Sequence, residues 1–135
     1  MGSEIGSNFS QIKSIFDRVD DKDRLGVVID TAHIFEAGYP IHFKDGLNKT
    51  LKEFDQLIGI QKLHLLHLND SKTDFGSRVD RHWHIGDGKI GLEGFRNIVN
   101  HPLLRHLPGI METPRKNDKE DAKNMKVIKG LVENY

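Results

Sequence analysis

Cysteine is absent from this chain of 135 residues. That excludes a disulfide framework and any thiolate metal site, and it leaves histidine and carboxylates as the only strong ligands for a metal ion. Net charge is absent as well, with 20 Lys+Arg against 20 Asp+Glu. Global charge therefore gives no argument for a nucleic-acid or membrane partner, and any affinity for DNA has to come from local groups or from bound cations. No apolar run approaches a membrane span, and Met1-Gly2-Ser3-Glu4 carries neither the basic start nor the apolar core of a secretory leader. The expectation is a soluble cytoplasmic protein without a membrane. Internal repeats and low-complexity segments are missing too, and the length is about half of the roughly 250 residues that an eight-fold βα barrel needs.

What is present is an alternation of two periodicities. Phe9, Ile12, Ile15, Phe16 and Val19 fall at helical spacing behind a capping pair, Asn8 and Gln11, and predict a helix over about 8–19. Leu25 to Ile29 reads as a short buried strand. Leu47, Leu51, Phe54, Leu57 and Ile58 form a second helical stripe stopped by Gly59, and Lys62 to Leu68 a second strand. About twenty polar and glycine-containing residues follow, too many for an ordinary connection and so expected to be functional or disordered. Leu92, Phe95, Ile98 and Val99 mark a third helix, Gly109 to Glu112 a third strand, and Asp118 is expected to cap a last helix carrying Ala122, Met125, Ile128, Leu131 and Val132. The order α-β-α-β-α-β-α implies an α/β fold of three parallel strands with flanking helices, within a single partial domain spanning 1–135.

Metal-type side chains gather at the strand ends. In Arg78-Val79-Asp80-Arg81-His82, alternation in an extended segment aims Asp80 and His82 at one point while Arg81 points elsewhere, an arrangement suited to zinc. Asp30 and His33 close the first strand, although an Asp there can equally cap a turn. His64 and His67 have opposite parity, so only one enters a site; His67 is nearer the strand's C-terminal end, and His64 is expected to be packed or to face a helix. Glu112 ends the third strand as a ligand or a solvated carboxylate. His84 shares the parity of His82 but reads as a loop residue, because three ligands from one five-residue stretch would strain a tetrahedral site. His42, His101 and His106 are expected in surface or capping roles, and Trp83 as a packing anchor. Gly86-Asp87-Gly88-Lys89-Ile90-Gly91 is only loosely like a phosphate loop, since no strand directly precedes it, and reads as a turn into the next helix.

Four blocks in order carry a family resemblance: Ile29-Asp30-Thr31-Ala32-His33 with Ala37-Gly38-Tyr39, then His67-Leu68-Asn69-Asp70-Ser71-Lys72, then Phe75-Gly76-Ser77-Arg78-Val79-Asp80-Arg81-His82, then Gly86-Asp87-Gly88 and Gly91. From about Gly2-Ser3 onward the chain resembles the C-terminal half of endonuclease IV, a zinc-dependent (β/α)8 TIM barrel of the xylose-isomerase-like superfamily that cleaves DNA 5′ to abasic sites with three zinc ions. The resemblance implies Asp30, His67 and Glu112 as ligands of one zinc and His33, Asp80 and His82 as completing another, with Glu112 also orienting the nucleophile. It makes Arg78 and Arg81 candidates for phosphate contacts or for support of the metal-bound Asp. It also implies that an N-terminal barrel half is missing, with two zinc-binding histidines, the bridging glutamate that Glu4 cannot replace, and the loops that enter the DNA. The expected partners are double-stranded DNA with abasic sites and that missing half. Two other readings stay open: a sugar isomerase or epimerase of the same superfamily holding a single metal, and a non-catalytic half-barrel that acts as an interaction partner.

Overall fold

The computed structural model describes residues 8–114 and 117–133. Gly2, Ser3 and Glu4, invoked above, lie outside the described residues. The elements run α1 (Phe9–Arg18), β1 (Val27–Asp30), α2 (Thr31–Glu36), α3 (Lys44–Leu57), β2 (Leu63–His67), β3 (Asp70–Ser71), β4 (His82–Trp83), α4 (Gly91–Asn100), β5 (Gly109–Ile110) and α5 (Asp118–Leu131), with single 3-10 turns at Lys22–Arg24 and Ile60–Lys62.

β1, β2 and β5 form a parallel three-stranded sheet in that order. Parallel strands require long crossovers, and the α-helices between these strands supply them. One sheet face is apolar and covered: Ile29 and Leu66, paired in register, lie among Leu47, Leu51, Phe54, Phe95, Ile98 and Ile128 in one continuous core. Phe54 and Phe95 are wholly buried, and each such burial stabilises the fold by about 1.5–3 kcal/mol. Alternation then gives the opposite face to Val28 and Asp30, Leu65 and His67, Ile110 and Glu112. Its apolar members are open, Val28 at 47% and Ile110 at 49% exposure.

Local signals account for the ends of the helices. Asn8 Oδ1 accepts the Gln11 amide at 2.9 Å, and the Phe9 amide donates to Tyr39 Oη at 3.0 Å while the two rings stack. Gly59 takes φ 110° directly after α3, a left-handed stop that favours glycine. The cap of α5 is Asn117, whose side chain accepts the Glu120 amide, so Asp118 is the first helical residue rather than the cap. The third strand is shorter than its apolar run, ending at Ile110 and leaving Glu112 beyond it.

Three further features add to the sequence reading, and the last of them corrects it. Thr31–Glu36 is a helix, too short to show a periodic stripe. The long polar stretch, expected to be functional or disordered, carries the short antiparallel pair β3–β4. His64 is exposed rather than packed under a helix: the β1–β2 register slips between Val27 and Val28, opposite it, and its ring rests against the backbone of Gly26. Among the described residues no helix is long and apolar enough to cross a membrane.

Candidate metal centre

The carboxylate of Asp30 stands where β1 becomes α2. Asp30 Oδ1 caps the helix by accepting the His33 amide at 3.1 Å, which leaves Oδ2 facing the C-terminal edge of the sheet. There Oδ2 accepts from Asn69 Nδ2 at 3.1 Å and lies 3.1 Å from His82 Nε2. One oxygen of the side chain thus caps the helix while the other meets Asn69 and His82.

From Asp30 a line of donors runs both ways. His67 Nδ1 is 3.9 Å from Asp30 Oδ2 and 2.6 Å from Glu112 Oε1. On the other side, His82 Nε2 is 3.9 Å from Asp80 Oδ1. Asp30, His67 and Glu112 can each offer a ligand atom within 4.8 Å of the others. Five of the six candidate ligands thus form one contiguous row. His33 joins it through its backbone amide, and lines with Asp30 and His67 of the row an open pocket of about 310 Å³, outside the Asp30–His67–Glu112 group. His33, Asp80 and His82 are therefore not gathered at one point, because the His82 ring is drawn onto Asp30.

Electrostatics follows that contact. The hydrogen bond to Asp30 pushes the His82 imidazole up to about 9, against the opposing effect of burial. Burial alone would raise the Asp30 carboxyl, but the bonds from His82, the His33 amide and Asn69 together hold it below its usual range. His82 Nδ1 is also 3.0 Å from the carbonyl of Glu112. A proton kept on Nδ1 by that carbonyl leaves Nε2 as the nitrogen for a metal once its own proton departs.

A second ring of residues holds the first, and sequence reasoning missed most of it. Asn69, wholly buried, donates to Asp30 Oδ2 and accepts the Glu112 amide at 2.6 Å, so one side chain sets the spacing of two candidate ligands. Thr31 Oγ1 donates to the carbonyl of Asn69 at 2.6 Å and accepts its amide at 2.9 Å. Asp70, also buried, accepts five backbone amides, those of Ser71, Gly86, Gly88, Ile90 and Gly91. The glycine-rich turn is thus a nest for an anion, and the anion is the protein's own. Asn124 on α5 ties the Ile85 amide, the His84 ring and Thr113 Oγ1 together, which accounts for His84 outside the donor row. Arg78 and Arg81 are exposed beside the row, and Arg78 takes the left-handed φ of 59°.

Comparison with known proteins decides the family. Residues 1–131 match the model of the xylose isomerase-like TIM barrel family. The chain belongs to that family. Curated relatives in it include a protein named "Probable endonuclease 4" from Halothermothrix orenii, 51% identical over 114 residues (84% of this chain, 41% of the relative). Another of that name, from Chloroflexus aggregans, is 47% identical over 132 residues (97% of this chain, 46% of the relative). The crystal structure of endonuclease IV from Thermus thermophilus superposes with a TM-score of 0.82 at 34% identity, covering 97% of this chain and 46% of that one. The chain spans less than half the length of these relatives. Its α/β fold, three parallel strands flanked by helices, is accordingly part of a TIM barrel.

In TIM barrels chemistry collects at the C-terminal ends of the strands, and the donor row occupies that end here. Its composition fits a hard-to-borderline divalent cation such as zinc: carboxylate oxygens and imidazole nitrogens, with no Lys or Arg in its ion pairs among the described residues. Bonds of about 2.0–2.2 Å in a tetrahedron separate neighbouring ligand atoms by roughly 3.3–3.6 Å. The 3.9 Å contacts of His67 with Asp30 and of His82 with Asp80 lie just outside that span. The 2.6 Å His67–Glu112 contact is a hydrogen bond that an entering ion would replace.

Proposed function

We propose that this chain is the C-terminal half of a zinc-dependent DNA-repair endonuclease that hydrolyses the phosphodiester 5′ to abasic sites in double-stranded DNA. The observation that carries the reading is the row Asp80–His82–Asp30–His67–Glu112, which offers more donors than a single metal needs. The names and structures of the relatives support the substrate class.

Zinc would supply Lewis acidity, activating water near neutral pH and neutralising phosphate oxygens. In this reading Asp30, His67 and Glu112 hold one ion, and Asp80 and His82, with His33 brought in by a side-chain turn, hold another. Glu112 also orients the attacking water, while Asn69 keeps Glu112 and Asp30 at their spacing. Arg78 and Arg81, exposed next to the donors, contact DNA phosphates. A nucleotide without its base costs little to turn out of the helix, which gives the abasic preference. The other barrel half completes the zinc sites and the DNA surface.

Nicking of a duplex carrying one abasic analogue, with zinc supplied, tests this. The 135-residue chain alone should be nearly inactive, and a full-length parent containing it should cut in a chelator-sensitive way. Full activity from the chain alone would refute the half-site reading, and a parent indifferent to His82→Ala would refute the metal assignment.

A further inference from the structure

We propose that Glu36 is a positioning residue for the metal centre: its buried carboxylate anchors the loop over 72–81 and so holds Asp80 and His82 against Asp30. The consequence for metal binding rests on the reading given under Proposed function; the hold on the loop does not.

Glu36 is the last residue of α2 and has no exposed surface. Its Oε2 is met by Ser71 Oγ at 2.5 Å, Thr73 Oγ1 at 3.1 Å and the Arg81 amide at 3.2 Å. Its backbone carbonyl accepts the Arg78 amide at 2.9 Å, and the carbonyl of Phe35 accepts that of Gly76 at 3.1 Å. One helix end therefore grips the loop at its start, its middle and its finish.

The loop's other ties are ring contacts of Phe75 with Phe35 and His42, bonds of Thr73 and Ser77 within the loop, and an exposed Lys89–Asp74 pair, none of which reaches Asp80 or His82. Residues 74–81 are all exposed, and of their apolar side chains Phe75 alone has a ring contact, at the far end of the loop from Asp80 and His82. The β3–β4 pair is two residues long and extends only to the bond from the Lys72 amide to the Arg81 carbonyl. Arg78, at a positive φ that non-glycine residues rarely adopt, is held there by the Glu36 carbonyl. Bonds to a carboxylate are the stronger kind, and one of the three comes from the Arg81 amide, between Asp80 and His82.

The geometry gives the anchor a bearing on the site. Residues 80–82 touch α2 at both ends, through the Arg81 amide on Glu36 and through His82 Nε2 on Asp30, the cap. A six-residue helix thus sets the distance between the Asp80–His82 segment and the Asp30 donor row. Glu36 Oε1 is buried without a hydrogen-bond partner. Glutamine can keep an accepting oxygen at Oε2 and place its amide nitrogen at that unpartnered corner, whereas alanine removes the anchor.

The test uses the 135-residue chain and its Glu36→Ala, Glu36→Gln and Thr73→Val variants. Amide hydrogen exchange is read at Gly76, Arg78 and Arg81, with β2 and α4 as internal references, and zinc binding through the His82 ring resonances. Glu36→Ala should speed exchange at the three loop amides by at least about tenfold with the references unchanged, and should weaken zinc binding at His82 by about 10–100-fold, the scale for outer partners of metal ligands. Glu36→Gln should restore both, and Thr73→Val should fall between. Unchanged loop amides in Glu36→Ala, a rise spread evenly over the chain, or failure of Glu36→Gln to restore the loop would overturn the proposal. If the unmodified chain takes no zinc at His82, the metal reading fails, and the exchange result still decides whether Glu36 holds the loop.

Discussion

His82 combines two hydrogen-bonded contacts, one to Asp30 and one to the Glu112 carbonyl, so its proton reports the state of the whole row. Its folded-state pKa of about 9 lies above the ordinary 6.5. A raised value of this kind contributes stability that is complete below about 6.5 and is lost as pH rises through about 9. Asp30, depressed below 3.8, contributes stability that is present above that value and is lost as pH falls through its lower folded-state value. Thermal unfolding of the chelator-treated chain should therefore show an alkaline decline that His82→Ala lacks. In the full-length parent, His82→Ala or Glu112→Ala should cut abasic-site nicking by roughly 10²-fold or more, the scale of losing a preorganised electrostatic group. His64→Ala should leave the rate near that of the parent, because His64 lies at the register slip, outside the donor row. Steady-state nicking assays measure both.

At the level of elements, the most heavily connected side chain is Asp70, at the start of the β3–β4 pair. Its five amide partners join β3 to the glycine-rich turn and the first turn of α4. Asp70→Asn would turn an amide group toward backbone N–H donors in a buried place, and a loss of about 3 kcal/mol or more in urea unfolding is expected. Gly88→Ala should also destabilise in the same assay, since an added Cβ would collide with the Ser71 carbonyl oxygen and lie 2.6 Å from the Asp70 carboxylate. The elements legible in the sequence were those with a long enough stripe: α1, α3, α4 and α5 lie where their apolar spacing puts them, as do β1, β2 and β5. What escaped was short or closed from a distance. Thr31–Glu36 spans under two turns, and β3 meets β4 only after the chain has gone out and returned.

For the whole molecule, the sheet has two free edges among the described residues, β1 and β5, and an inner face on which Val28 and Ile110 are nearly half exposed. Unpaired parallel edges and open apolar side chains favour association. The isolated chain should self-associate at high concentration, and light scattering should show the association fall when the proposed N-terminal half is supplied. A well-behaved monomer at high concentration would contradict this.

The types of ligand were settled by sequence alone: without cysteine, any strong metal site had to be built from His, Asp and Glu, and the alternation of periods made the strands parallel. Parity separated His67 from His64, because side-chain direction along a strand is a local property of the backbone, while the grouping of Asp30, His67 and Glu112 came from the family resemblance. Which donors meet was decided by the tertiary structure. His82 rests on Asp30, far earlier in the chain, where the β3–β4 pair returns the loop toward α2. Asn69, Asp70 and Glu36 carry no motif of their own that would mark them as supports. Their partners are backbone amides and side chains distant in sequence, and a contact of that kind exists only once the chain has folded.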